Sequence, residues 1–492
     1  MTKREKTGGL HGGSLGSGKT LGVWSATAVV VGSMLGIGIY IVPPQVAELA
    51  GGSWWFFGLW FFGGVVAFAG ADAFAQLSTR VPKAGGDFCY QYLAFGPSVA
   101  FATGCVLFLG VFGGSIAATA LPLWEFQLAK LAQINFTEQL ISSPFGGGVS
   151  VASLGGISLI LLVTAVHLGS ERNWSRLQVV LTLVPLVLLS FIACYALIAA
   201  PSAVHVTAEP GAMAEEVTVS RLLSAYLGVY FAYSGWNAVT YVAGEVKDPS
   251  KTLPRALLGG TVATTLLYLL LCGAYVHVLG MPGLAQSSDA GSAMTSVLGG
   301  VSLDIVSTIL ITLALLASLN ACISGGARIA YAMAREGVLW APLGEVSGER
   351  GLPRNALIFQ AAWSSLLVWT GGFVQLIQMT SLAMLVTGGI SVLSLFVLCR
   401  RDSEFRQHDG EPYRSRFFPW LPLFYLLVSL TVCSVKLFDA LRGEPGAWYT
   451  LLGLGIFFAC LVGHFLWTRP VRDTTATHHG LAADKVEPSL AE

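Results

Sequence analysis

The stretch VVGSMLGIGIYIVPP, from Val30 to Pro44, places Gly32, Gly36 and Gly38 within seven residues and ends on two prolines. It overlaps an apolar run at residues 22–42, long enough to cross a bilayer. In hydrocarbon every backbone polar group needs a partner inside the protein, so a helix unwinds only where it lines a cavity. A second stretch, YFAYSGWNAVTYVAGEVKDP from Tyr230 to Pro249, repeats the pattern, with Ser234-Gly235 between Tyr233 and Trp236 halfway along the run at 219–243. Close helix packing through Gly32-x-x-x-Gly36 is the simpler reading of one break. Two breaks at matching places favour a binding site.

The composition agrees with a membrane chain. Of 492 residues, 54% are hydrophobic and 11% charged, against about 25% charged in soluble domains. Apolar runs at 22–42, 54–78, 90–121, 151–169, 177–200, 219–243, 255–279, 301–334, 355–371, 374–399, 418–439 and 447–467 read as twelve transmembrane helices. An even number puts both termini on one side. If that side is the cytoplasm, every one of the 27 lysines and arginines except Lys130, Arg221, Lys436 and Arg442 falls inside, as the positive-inside rule requires. Glu209, Glu215 and Glu216 then lie outside. The expected location is the plasma or inner membrane, multi-pass, with both termini cytoplasmic.

The eight cysteines show neither metal-ligand spacing nor a disulfide cluster, and no cofactor or metal is expected. A net charge of zero gives no field to attract nucleic acid. The first apolar run is too long for a cleaved signal segment and is expected to remain as a helix. One soluble motif competes: GSLGSGKT, from Gly13 to Thr20, fits the phosphate-loop pattern through Gly13, Gly18, Lys19 and Thr20. No strand precedes it and the bilayer follows within a few residues, so a membrane ATPase or enzyme is the remote alternative.

The chain divides into a cytoplasmic tail at 1–21, a first five-helix block at 22–200, a second at 219–399, a helix pair at 418–467 and a cytoplasmic tail at 468–492. The first block starts inside and the second outside, the inverted-repeat layout of secondary transporters with broken helices one and six. Where helix one restarts, the N–H groups near Gly36, Ile37 and Gly38 lack helical partners and favour an anion. Where the first half of helix six ends, the carbonyls near Phe231, Ala232 and Ser234 suit an ammonium group. Together they suit a zwitterion.

Five ordered stretches carry a family likeness: GSMLGIGIYIVPP, LSTRVPKAGGDFCYQYLAFG, LGSERNWSRLQ, FAYSGWNAVTYVAGEVKDPSKTLPRAL and SLNACISGGARIAYAMAREGVL. With them the chain resembles the amino acid-polyamine-organocation superfamily, closest to its L-type amino acid transporter branch. The resemblance implies an all-α, five-plus-five inverted-repeat fold and amino acid exchange or proton-linked uptake by alternating access. The alternative is a polyamine or amine antiporter. It implies that Ser33, Met34, Gly36, Ile37 and Gly38 hold the substrate backbone, and that Ala232 and Ser234 offer carbonyls to its amino group. Phe231 corresponds to an aromatic gate, followed by Trp236 and Asn237, while Asn320 and Ser318 lie near the pocket.

The chain departs from that pattern at Ile37, where a small or hydroxyl residue is usual, and at Gln76, where Glu is usual. Pro185 stands where many relatives place a lysine that fills a cation position. Asp72, inside the second run, is a candidate proton or cation site or a structural acid. Glu245, near Lys247, is a candidate inner-gate ion pair or an interfacial charge. His167 and His277 are expected to meet solvent or backbone. The stretch from Lys130 to Gly148 contains no cysteine, so no disulfide-linked accessory subunit is expected there. The expected partners are a small amino acid and the lipid bilayer.

Overall fold

The computed structural model describes residues 21–142, 148–169, 171–200, 217–347, 353–370, 373–401, 412–443 and 447–467. The phosphate-loop match at Gly13, Gly18, Lys19 and Thr20, the tail at 468–492, and Glu209, Glu215 and Glu216 lie outside these residues. In chain order the principal helices are α1 (Val23–Met34), α2 (Gly38–Ala50), α3 (Ser53–Arg80), α4 (Asp87–Phe95), α5 (Pro97–Ala132), α6 (Val151–Gly169) and α7 (Glu171–Ala199). They continue with α8 (Val219–Ala232), α9 (Ala238–Tyr241), α10 (Pro249–Ala285), α11 (Ala290–Arg335), α12 (Arg354–Thr370), α13 (Phe373–Arg400), α14 (Trp420–Leu441) and α15 (Ala447–Trp467).

Eight helices among the described residues are long and apolar enough to cross a bilayer, and α1 with α2, bent by 42°, makes a ninth. The chain is therefore a polytopic helical membrane protein. The stretches expected at 219–243, 355–371 and 447–467 also hold helix, as α8 with α9, α12 and α15. At 14 residues α8 is short because the break at Tyr233 ends it, and it rises only about 21 Å at 1.5 Å per residue.

Local chemistry sets the ends. Asp289 caps α11 by accepting from the N–H groups of Gly291 (2.8 Å) and Ser292 (3.2 Å), a contact worth about 1 kcal/mol. That cap lets α11 start well before the expected residue 301 and run for 46 residues. Gly51 (φ 65°) closes α2 in the left-handed conformation that glycine adopts without strain.

Two features were not read from the sequence. Strands β1 (Gln139–Ser142) and β2 (Gly148–Ser150) pair antiparallel between α5 and α6, so the chain is not wholly helical. The third expected helix is displaced: α5 extends to Ala132 and contains wide π-helical segments at Val106–Phe112 and Leu123–Leu128. Such segments often mark functional sites.

In the core, α1 packs on α7 so closely that a methyl group on Gly32 would lie 2.3 Å from both the Gln178 and Thr182 side chains. Close packing is therefore the role of Gly32. The later glycines of the same stretch meet different surroundings.

Candidate functional site

Helix α1 ends at Met34, and the next residue still donates from Leu35 N–H to Val31 O at 2.8 Å. Gly36 N–H then turns back to Met34 O at 2.6 Å, so it is not the free donor expected from the sequence. The N–H groups of Ile37 and Gly38 have no backbone partner among the described residues, and α2 starts there. An unpaired pair of donors at a helix start favours negative charge.

The second break mirrors the first. Helix α8 ends at Ala232, Ser234 N–H donates to Phe231 O at 2.9 Å, and Gly235 takes φ 97° before the four-residue α9. The Phe231 carbonyl is thus satisfied within the turn, contrary to expectation. The Ala232 carbonyl is also engaged, accepting from the Tyr268 hydroxyl of α10 at 2.9 Å. Ser234 O keeps no hydrogen-bond partner among the described residues.

Both breaks touch. A methyl group on Gly38 would fall 2.5 Å from the Ala232 Cα, and one on Gly235 would fall 2.9 Å from the carbonyl carbon of Ser33. Ser318 of α11 closes one side, its hydroxyl reaching Ser33 O at 3.5 Å. Tyr268 spans the junction: its oxygen lies 2.5 Å from Met34 O and 2.9 Å from Ala232 O. A phenol has one hydrogen and can fully satisfy only one of these carbonyls at a time. Nothing local in the sequence marks Tyr268, because its partners lie 234 and 36 residues away.

A cavity of ≈ 840 Å³, counted out to its open mouth, lies over this junction. Ser33, Met34, Gly36, Ile37, Gly38, Phe231, Ala232, Ser234, Trp236, Asn237 and Ser318 all line it. The π-helical part of α5 adds Leu107, Val111 and Phe112, and α13 adds Met384 and Thr387. Asp87, at the start of α4, is the acid in the wall; the only local hint of it was its place after Gly85-Gly86.

Asn320, Asp72, Glu245 and Pro185 do not line the cavity. Asn320 donates to Gln178 Oε1 at 2.6 Å, while Thr182 donates to Ala28 O at 3.2 Å, so these side chains tie α11, α7 and α1 together. Pro185 is buried on α7, one turn beyond Thr182. His167 is 2% exposed and bonds to the backbone and side chain of Asn320, so of the two expected surroundings it meets backbone and not solvent. His277 pairs with the Ala200 carbonyl at 3.1 Å, as expected.

Glu245 pairs not with Lys247, which is exposed, but with Arg328 of α11. Asp72 accepts from Tyr413 at 3.1 Å and from Gln76 at 3.4 Å. The Tyr413 bond fastens α3 to the segment before α14. Asp72→Asn therefore lowers the melting temperature of the purified protein while uptake stays within about twofold, less than 0.5 kcal/mol where 1.4 kcal/mol is tenfold. Loss of uptake with unchanged melting would instead put Asp72 in the transport path.

The family model described as "Amino acid permease" matches residues 21–458. The chain belongs to the amino acid permease family. It is a membrane permease and not an enzyme. Among its relatives, "Large neutral amino acids transporter small subunit 2" of Homo sapiens is 28% identical over 89% of this permease and 81% of the relative. "b(0,+)-type amino acid transporter 1" of Mus musculus is 26% identical over 96% and 93% respectively. "Asc-type amino acid transporter 1" of Mus musculus is 26% identical over 89% and 82%.

Proposed function

We propose that this permease is a secondary-active transporter carrying zwitterionic L-amino acids across the cell membrane by alternating access. The observation that carries this reading is the contact between the two breaks. Unpaired N–H groups at Ile37 and Gly38 stand across the cavity junction from the Met34, Ala232 and Ser234 carbonyls. A carboxylate meets the donors, and an ammonium brings three hydrogens to carbonyls among which Tyr268 can share only one. Leu107, Val111, Phe112 and Met384 supply apolar wall, which favours a neutral side chain, because an unpaired charge there would lose hydration. The relatives' printed names, which include large neutral amino acids, support the same substrate class.

The proposed architecture is twelve spans, with inverted blocks at 22–200 and 219–399, a pair at 418–467 and cytoplasmic tails at 1–21 and 468–492. Substrate sits on Ser33, Met34, Gly36, Ile37, Gly38, Ala232 and Ser234, with Phe231 as the gate above it, followed by Trp236 and Asn237 in the cavity wall; Asn320 holds the scaffold behind. The protein acts in the plasma or inner membrane without a disulfide-linked partner at 130–148, a stretch free of cysteine.

Proteoliposomes incubated with a radiolabelled amino acid panel test the reading. Uptake rises when unlabelled amino acid is trapped inside if the protein exchanges, or follows a pH gradient if it couples to protons. Neutral amino acids compete, while their decarboxylated amines do not, because the amines leave the Ile37 and Gly38 donors unfilled. Uptake equal to empty vesicles across the panel would refute the proposal, and stronger competition by amines would transfer it to an amine antiporter.

A further inference from the structure

Asp87 begins α4, is 1% exposed and forms part of the cavity wall. Its Oδ1 accepts from the Ser391 hydroxyl of α13 at 2.6 Å. Its Oδ2 accepts from the Tyr241 hydroxyl at 2.6 Å and from the Asn237 amide at 3.3 Å. Asn237 and Tyr241 belong to the inner half of the broken helix, so the carboxyl holds that half to α4 and α13. Behind it, Gln91 donates to Ser391 at 2.9 Å and to Thr387 O at 3.0 Å, and Thr103 donates to Gln91.

No lysine, arginine or histidine pairs with Asp87 among the described residues. The titratable groups that face it are Tyr90 of α4, Tyr230 of α8, Tyr241 of α9 and Tyr425 of α14. Phenols carry no charge near neutral pH. Four residues beyond Tyr241, Glu245 is already balanced by Arg328. A buried carboxylate without a cation is expensive to keep ionised. The three side chains that donate to it, Ser391, Tyr241 and Asn237, bring no formal positive charge.

We propose that Asp87 is the proton-binding group of the transport cycle, an inference resting on the reading of the protein as a secondary amino acid transporter. A hydronium ion from the aqueous side gives its proton to Oδ1, breaking one of its O–H bonds to leave water, forming one O–H bond on the carboxyl and taking the side chain from −1 to neutral. Ser391 then turns its own hydrogen away from the carboxyl and back to Thr387 O, the carbonyl one helical turn earlier, which it shares with the helical N–H of Ser391 and the Gln91 amide. Its oxygen accepts from the new acid. Asn237 and Tyr241 still donate to Oδ2, but to a neutral acceptor, and charge-assisted bonds are about twice as strong as neutral ones. Protonation thus loosens the grip on the segment just after the second break. By linkage, amino acid binding beside Asn237 shifts the proton occupancy of Asp87, and the reverse.

The test adds a mixture of L-leucine, L-phenylalanine and L-alanine to purified protein in weakly buffered detergent containing a pH indicator, with binding followed in parallel by thermal shift. Wild type exchanges protons on binding with a distinct pH midpoint, and Asp87→Asn exchanges none. Ser391→Ala moves the midpoint upward, because the ionised form loses a donor. Asp87→Glu keeps proton exchange with a displaced midpoint and decides the matter should Asp87→Asn not fold. Amino acid binding without proton exchange, equal exchange in Asp87→Asn, or an unmoved midpoint in Asp87→Glu would overturn the assignment. Ligand-free infrared difference spectra across the pH range give a separate readout, in which a protonated-carboxyl band titrates in wild type and is missing from Asp87→Asn. If none of the three amino acids binds, the transport reading is what fails, and the infrared band still decides the proton site.

Discussion

Gly38→Ala cuts amino acid uptake into proteoliposomes by about 5- to 150-fold, the range that 1–3 kcal/mol of overpacking produces. The expected sign is not obvious from local preference. Alanine is about 1 kcal/mol better than glycine inside a helix, and Gly38 is the first residue of α2, so a site built on ordinary packing would tolerate or welcome the change. Geometry opposes it: the new methyl would sit 2.5 Å from the Ala232 Cα and 2.8 Å from its Cβ. Main chain cannot swing aside as a long side chain does, so the two breaks must separate and the donors at Ile37 and Gly38 move away from the Ala232 carbonyl. Gly235→Ala produces the same loss from the other side, with added strain from φ 97°. Gly273→Ala, in α10 with open space around it, is the control and leaves uptake unchanged. Normal transport by Gly38→Ala would mean that the contact between the breaks has no part in holding substrate.

The breaks were legible because their signal is local. Three glycines in seven residues, and Ser-Gly between aromatics, disfavour continuous helix wherever they stand. The residues around them that line the cavity could therefore be named from sequence. What holds the helices around the cavity was not legible, since it is made by pairs far apart in the chain. Ser391 and Asp87 are 304 residues apart, Asn320 and Gln178 are 142 apart, and Arg328 and Glu245 are 83 apart. Asn320 resembled a pocket residue by its place in a motif, yet its amide turns to α7 and away from the cavity. The carbonyls of Phe231 and Ala232 were expected to be free by counting helical bonds. A turn bond and the Tyr268 hydroxyl use them, and helical bond counting sees neither. Pro185 marked a missing cation but could not disclose that Gln178 and Asn320 make the tie between α7 and α11.

Arg328→Ala is expected to lower the melting temperature more than any other single change considered for this protein. Both partners are buried, with 3% of each side chain exposed, and Arg328 Nε donates to Glu245 Oε1 at 2.7 Å. The same guanidinium donates to Ser324 O at 2.9 Å and to its hydroxyl at 2.7 Å. Glu245 also fixes the entry to the first broken helix, because its carbonyl accepts from Leu21 N–H at 3.0 Å while Lys247 N–H donates to Leu21 O at 2.9 Å. The pair thus holds α11, the end of the second broken helix and the start of the first in one place. Removing the arginine strands a buried carboxylate, a loss of about 3–5 kcal/mol, whereas replacing both partners with apolar groups of similar volume is often neutral. The double variant Glu245→Met with Arg328→Met therefore melts higher than Arg328→Ala or Arg328→Met alone. Arg328→Lys falls between, since an ammonium cannot reproduce the planar fork that serves Glu245 and Ser324 together. Apparent melting temperatures of the detergent-purified variants at one heating rate, analysed as a double-mutant cycle, measure the coupling. Additive losses, with the double variant melting lowest, would show that Glu245 and Arg328 do not depend on each other.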